Sequence, residues 1–170
     1  SQMSNDQQSA PTETRPWRRP KVADQRYFED FKLGERFISP SRTQTDALFA
    51  AFQMASGDNH PIHYDIEFCR DLGFPGLLAH GMQVLIQAAP GAGDFPFVVQ
   101  DSLKAIVELS ARFKAPVFSG DTTYPMLEVI GLEAGRTTGV VVLRATVHNQ
   151  RDELCMEGEI KTLLKKRTPG

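Results

Sequence analysis

Leu77-Leu78-Ala79-His80-Gly81-Met82-Gln83-Val84-Leu85-Ile86-Gln87-Ala88-Ala89 is the stretch on which the fold turns. It is apolar on nearly every side, and only His80, Gln83 and Gln87 break it. A helix without a polar face is a buried helix. Pro90-Gly91 is placed to end or kink it.

Downstream of this segment the apolar period changes from 3.6 to 2. Ala105, Val107, Leu109, Ala111 and Phe113 alternate with polar residues over Lys104 to Lys114, which reads as a half-buried strand. Further strands are expected over Thr122 to Leu132, weakened at its start by Pro125, over Arg136 to Asn149, and over Glu153 to Lys161. Ser119-Gly120-Asp121, Glu133-Ala134-Gly135 and Asn149-Gln150-Arg151-Asp152 supply the turns. Upstream, Gly34 makes a turn before the short strand Glu35-Arg36-Phe37-Ile38. Thr45 is a good N-cap for a helix presenting Leu48, Phe49, Phe52 and Ala55 on one face, and Gly57 is placed to close it. Asp65 can cap a second short helix that runs to Leu72 and is closed by Gly73. Helices first and consecutive strands afterwards argue an α+β fold with an antiparallel sheet.

The chain has 170 residues, 41% apolar and 24% charged, which suits one globular domain. Tyr27 to Arg167 is expected to be that domain, and residues 1–26 an extended tail. Only five apolar residues and three prolines lie in that tail, too little to offset its ordering entropy. It shows no apolar leader segment, so a cytoplasmic protein is expected. The basic cluster Arg15, Arg18, Arg19 and Lys21 and the run Lys165-Lys166-Arg167 read as solvated charge. No apolar run reaches the roughly 18 residues of a membrane helix. A formal charge of -2 gives no positive field for nucleic acid. Cys69 and Cys155 read as reduced thiols.

Chemistry concentrates in Ser56-Gly57-Asp58-Asn59-His60-Pro61-Ile62-His63-Tyr64-Asp65. Asp58 and His63 bracket a loop stiffened by Pro61, and a carboxylate and an imidazole there can converge on one water. Ala79-His80-Gly81-Met82 opens the buried helix, whose first N–H groups have no intrahelical partner. Gly81 lets a ligand oxygen approach the backbone, which makes an oxyanion site. Its absent side chain equally serves close helix–sheet packing. His80 reads as a hydrogen-bonded positioning residue. No ligand cluster has metal-site spacing, so no metal or redox cofactor is expected.

These motifs, with Arg112-Phe113, Pro116-Val117 and Gly120-Asp121 following in order, resemble the MaoC-like dehydratases. That family includes the (R)-specific enoyl-CoA hydratases and the nodulation protein N-like members. The resemblance covers roughly Tyr27 to Lys165. It implies the hot-dog fold, an antiparallel sheet wrapped around one long central helix, here Gly81 to Ala89, in a homodimer or higher assembly. It also implies reversible hydration of a 2-enoyl thioester carried by coenzyme A or acyl carrier protein. Asp58 and His63 fall on the catalytic pair, and Gly81 on the donor to the thioester carbonyl. His60, Pro61, His80 and Met82 fall on the substrate-binding surroundings. The sequence departs from the family at His60, where Asn is usual, at Cys69, where a small Ala or Ser is usual, and at Pro90, where the helix would normally continue. In the favoured division of labour Asp58 takes the water proton and His63 orients; the reverse stays open. So do a non-catalytic acyl-thioester-binding protein and a hot-dog thioesterase.

Overall fold

The computed structural model describes residues 15–168. Short strands β1 (Arg36–Ile38) and β2 (Arg42–Thr43) precede helix α1 (Asp46–Ser56). Helices α2 (Pro61–Tyr64), α3 (Ile66–Asp71), α4 (Gly81–Gln87) and α5 (Phe95–Val98) follow. Strands β3 (Leu103–Phe113), β4 (Thr122–Ala134), β5 (Thr138–His148) and β6 (Leu154–Lys165) complete an antiparallel sheet of order β1-β4-β5-β6-β3, with β2 also on β4.

The local signals act as their chemistry dictates. The Thr45 side chain accepts the Leu48 N–H, and Gly57 closes α1 in the left-handed region at φ 71°. Asp65 accepts the N–H groups of Glu67 and Phe68 at the start of α3. Pro125 sits between the residues of β4 paired with β2 and those paired with β1, where that edge has no strand partner. Leu127 and Val129 of β4 and Val141, Leu143, Ala145 and Val147 of β5 form the buried face. Phe49 of α1, Val84 of α4, and Ala88 just past it, belong to the same core. Phe31, Phe37 and Phe95 close one part of it, with ring centroids 5.3 to 6.0 Å apart.

Three expectations need correction. The central helix is not long: it has seven residues, ends at Gln87, and is followed by a 3-10 turn over Pro90–Ala92, because proline cannot continue the ladder. Nor is it apolar inward. Gln83 and Gln87 are buried, whereas Met82 and Ile86 are about half exposed. The reason is a polar chain through the core: Gln83 Nε2 donates to Gln44 Oε1, and Gln44 Nε2 donates to Thr123 Oγ1, each at 3.2 Å. The third correction concerns β3, which is exposed on both faces rather than half buried. It is the sheet edge, paired only with β6, and Ile106, Val107, Leu109 and Phe113 are each about half exposed.

The chain ends are also more engaged than their composition implies. Residues 1–14 of the expected tail lie outside the described residues, but its last part is fastened to α5 and the turn beyond. Lys21 pairs with Asp101 at 2.6 Å, Gln25 Nε2 donates to the Phe97 carbonyl, and Arg26 N–H donates to the Val98 carbonyl. Arg167 is not merely solvated: its guanidinium pairs with Asp30 and lies 4.6 Å from the Tyr27 ring centroid.

Asp121 shows that part of the Gly120-Asp121 motif is structural. Burial pushes its carboxyl up. Hydrogen bonds from the Gln150 amide, the Phe118 N–H and Arg151 outweigh that and hold it below the ordinary carboxylate value of 3.8. A folded value below the unfolded one gives stability that is present above the unfolded value and lost as pH falls through the folded one. Asp121→Asn is therefore expected to weaken the loss of urea resistance as pH falls below about 4. A wild-type acid profile in that variant would remove Asp121 from the account.

Candidate active site

Asp58 follows the left-handed Gly57, so the chain turns sharply out of α1 and carries the carboxylate back over the loop. Its Oδ1 accepts the His60 N–H at 2.9 Å, and its Oδ2 lies 2.8 Å from His80 Nε2. The His60 N–H is the main cause holding the Asp58 carboxyl below the usual range; burial opposes it, and His80, His63 and His60 add to it. Asp58 is therefore a fixed anion.

His60 acts on Asp58 chiefly through its backbone. Its ring Nδ1 accepts the Ile62 N–H at 3.1 Å and so caps α2, with Pro61 at the first helical position. On α2, His63 places Nδ1 2.6 Å from the Leu78 carbonyl. A ring nitrogen facing a carbonyl must carry the proton, so in the neutral ring the lone pair of His63 lies on Nε2. The Leu78 N–H in turn donates to the Ile62 carbonyl, and the Ala79 N–H to the Val117 carbonyl. Two backbone rungs thus lash α2, the lead-in to α4 and the β3–β4 connection together.

His80 is the N-cap of α4: its Nδ1 accepts the Met82 N–H at 3.0 Å. Gly81 sits between, with its N–H at the first helical position and no intrahelical acceptor. A Cβ on Gly81 would lie 3.1 Å from the Phe113 ring, so the glycine lets the edge strand close over the helix start. A cavity of about 420 Å³ opens here, lined by Leu78, Ala79, Gly81, Val84, Phe113 and Lys114 among others. The Met82 side chain, next in sequence to Gly81, stands exposed. A larger groove of about 640 Å³ is formed by Ser110, Arg112, Arg144 and Glu157 with their neighbours; of the site residues only Gly81 lines the smaller cavity, and Asp58, His63 and His80 line neither.

The structure thus brings together Asp58, His63, His80 and the loop holding His60 and Pro61. An Asp58 oxygen and ring nitrogens of His63 and His80 lie within 4.8 Å of one another. That spacing suits a divalent cation, but the protonation pattern does not. His80 Nδ1 accepts a hydrogen bond, so its Nε2 carries the proton and has no lone pair for a metal. The sequence alone assigns Phe113 no role at the site, although Arg112-Phe113 is among the motifs that carry the family resemblance. Nor does it reveal the Leu78 carbonyl, because a main-chain acceptor leaves no trace in residue identity.

The MaoC like domain family matches residues 30–150. The chain belongs to that family. The matched stretch of this MaoC-like domain contains Asp58, His63 and Gly81. The chain is 31% identical over 151 residues to β-methylmalyl-CoA dehydratase of Chloroflexus aurantiacus, covering 85% of this chain and 41% of that protein. It therefore spans well under half of that relative's length. It is 32% identical over 113 residues to an (R)-specific enoyl-CoA hydratase of Rhodospirillum rubrum, covering 62% of this chain and 71% of that one. Among solved structures, a Mycobacterium tuberculosis protein described as a double hot-dog fold superposes with TM-score 0.72 at 30% identity, over 86% of this chain and 47% of that one. The antiparallel sheet with its central helix is a hot-dog fold. No helix among the described residues is long and apolar enough to cross a membrane.

Proposed function

We propose that this MaoC-like domain is a hydro-lyase that adds water reversibly to a 2-enoyl thioester of coenzyme A or acyl carrier protein. The observation that carries this is the convergence of an anionic Asp58 with the rings of His63 and His80, atoms of all three lying within 4.8 Å of one another, directly before Gly81, whose N–H has no intrahelical acceptor and which lines the neighbouring cavity. The Gly81 N–H polarises the thioester carbonyl, and charge builds on that oxygen as hydroxide adds to Cβ. Asp58, kept anionic by its donors, accepts one hydrogen of the water and orients it. A carboxylate held that low is a weak base, whereas imidazoles as a class titrate near neutrality. The local chemistry therefore favours the division in which His63 Nε2 takes the water proton and returns it to Cα. His60 and Pro61 set the loop, and Met82 borders the thioester's path.

Turnover of crotonyl-CoA tests the reading. Loss of the enoyl absorbance is expected and is to persist after exhaustive chelation, since the proposed chemistry uses no metal. Release of free thiol would instead identify a thioesterase, and saturable binding without turnover a binding protein.

A second copy of the chain is the partner proposed for the exposed edge. Strand β3 offers an unpaired backbone edge and the apolar side chains of Ile106, Val107, Leu109 and Phe113. Such an edge is self-complementary in a two-fold pair. Light scattering is expected to give a dimer or a multiple of it, and Leu109→Glu to give monomer. A monomeric wild type at micromolar concentration would reject the pairing.

A further inference from the structure

One ring touches both halves of the site. His80 Nδ1 accepts the Met82 N–H at the start of α4, and His80 Nε2 reaches Asp58 Oδ2. Accepting at one nitrogen and donating at the other is the pattern of a single neutral tautomer. Histidine is an unusual choice for an N-cap, where Ser, Thr, Asp and Asn lead. Those shorter side chains can satisfy the Met82 N–H, but they stop short of the position that Nε2 occupies. The His80 ring is further fixed by Phe52 of α1, at 5.1 Å between centroids, which carries no charge. The titratable groups facing it are Asp58, from the loop after α1, and His63 on α2, whose ring centroid is also 5.1 Å away.

We infer that His80 is the positioning residue of this site, a two-ended clamp that holds the Asp58 carboxylate and the first turn of α4 in one register. The clamp works in the neutral Nε2–H form. A second proton must land on Nδ1, where it would face the Met82 N–H donor to donor. Acid therefore releases the helix start while leaving the contact with Asp58 in place. The kinetic consequence rests on the hydration reading above; the geometry of the clamp does not.

Two variants separate the ends. His80→Asn keeps an acceptor for the Met82 N–H and removes the donor to Asp58. His80→Gln keeps a donor able to reach Asp58 and gives up the cap. Ring nitrogen NMR shifts of the wild type at pH 8 are expected to show the Nε2–H tautomer. His80→Asn is expected to leave the Met82 amide slow to exchange. It should lower kcat for enoyl-CoA hydration by about tenfold to a hundredfold, the scale of one hydrogen bond to a charged group. It should also remove the part of the acid limb that belongs to His80. His80→Gln should retain more of kcat while the Met82 amide exchanges faster. An Nδ1–H tautomer in the wild type, or His80→Asn with wild-type kcat and pH profile, overturns the clamp. A wild type that hydrates no enoyl thioester rejects the hydration reading alone, because the tautomer and the exchange rates still decide the clamp.

Discussion

Asp58→Asn is expected to lower crotonyl-CoA hydration by about two to four orders of magnitude, the usual worth of a positioned acid–base group. The substitution keeps the shape of the side chain and places an amide where Oδ1 accepts the His60 N–H and Oδ2 meets His80. Oriented one way, the amide sets a donor against the His60 N–H; the other way, it sets one against the Nε2–H of His80. Either way it gives up the negative charge that orients the water. His63→Ala should cost a similar factor, since it removes the lone pair that the Leu78 carbonyl leaves available on Nε2. The double variant should fall far short of the product of the two losses if, as proposed, both groups act on one water. Steady-state kinetics of the three proteins check this. Either single variant within a few-fold of wild type would withdraw the assignment of the pair.

Gly158→Ala is the substitution expected to damage the fold most. A Cβ built on Gly158 of β6 lies 2.0 Å from the Ser110 carbonyl oxygen and 3.0 Å from the Ala111 Cα of β3. Both obstacles are backbone, so no rotamer change relieves them. The strands must separate, and β3 has no other strand partner among the described residues. Overpacking in a tight site costs about 1–3 kcal/mol, and a clash with main chain falls at or above the upper end. Urea unfolding is expected to show the lower midpoint. Activity should fall with it, since Phe113 at the end of β3 covers the Gly81 turn. An unchanged midpoint would mean that the β3–β6 spacing yields more easily than these distances allow.

The helix caps and strand periods were readable because each depends on a few adjacent residues. Thr45, Gly57 and Asp65 sit where their side chains or backbone freedom are used. The direction of burial was harder to read. Gln83 and Gln87 looked like interruptions of an apolar helix, yet both face inward: Gln44 and Thr123, remote in sequence, supply a polar lane for Gln83, and Gln87 donates to the Gln83 carbonyl one turn back. The alternation in β3 likewise implied one buried face, but nothing among the described residues buries either face of this edge strand. At the site, Asp58 and His63 were found from their spacing on one stiff loop. His80 was recognised as a positioning group, but its partner Asp58 could not be named, because the contact spans 22 residues of chain. His60 attracted attention through its titratable ring, whereas its contact with Asp58 is made through an amide that any residue there would supply.

The two main-chain rungs at Leu78 and Ala79 bear on how such a protein can change over time. The scaffold under the reacting groups is held by the N–H of residues 60, 78 and 79 and by the carbonyls of residues 62, 78 and 117. No substitution other than proline deletes any of these atoms. Mutation can therefore rework the side chains of Leu78, Ala79 and Val117, and with them the contour of the neighbouring cavity, while the reacting groups stay anchored. If the proposed hydration is the activity, substrate preference and reaction type are inherited through different atoms, so a lineage built on this frame can explore new acyl groups without first having to reinvent its chemistry.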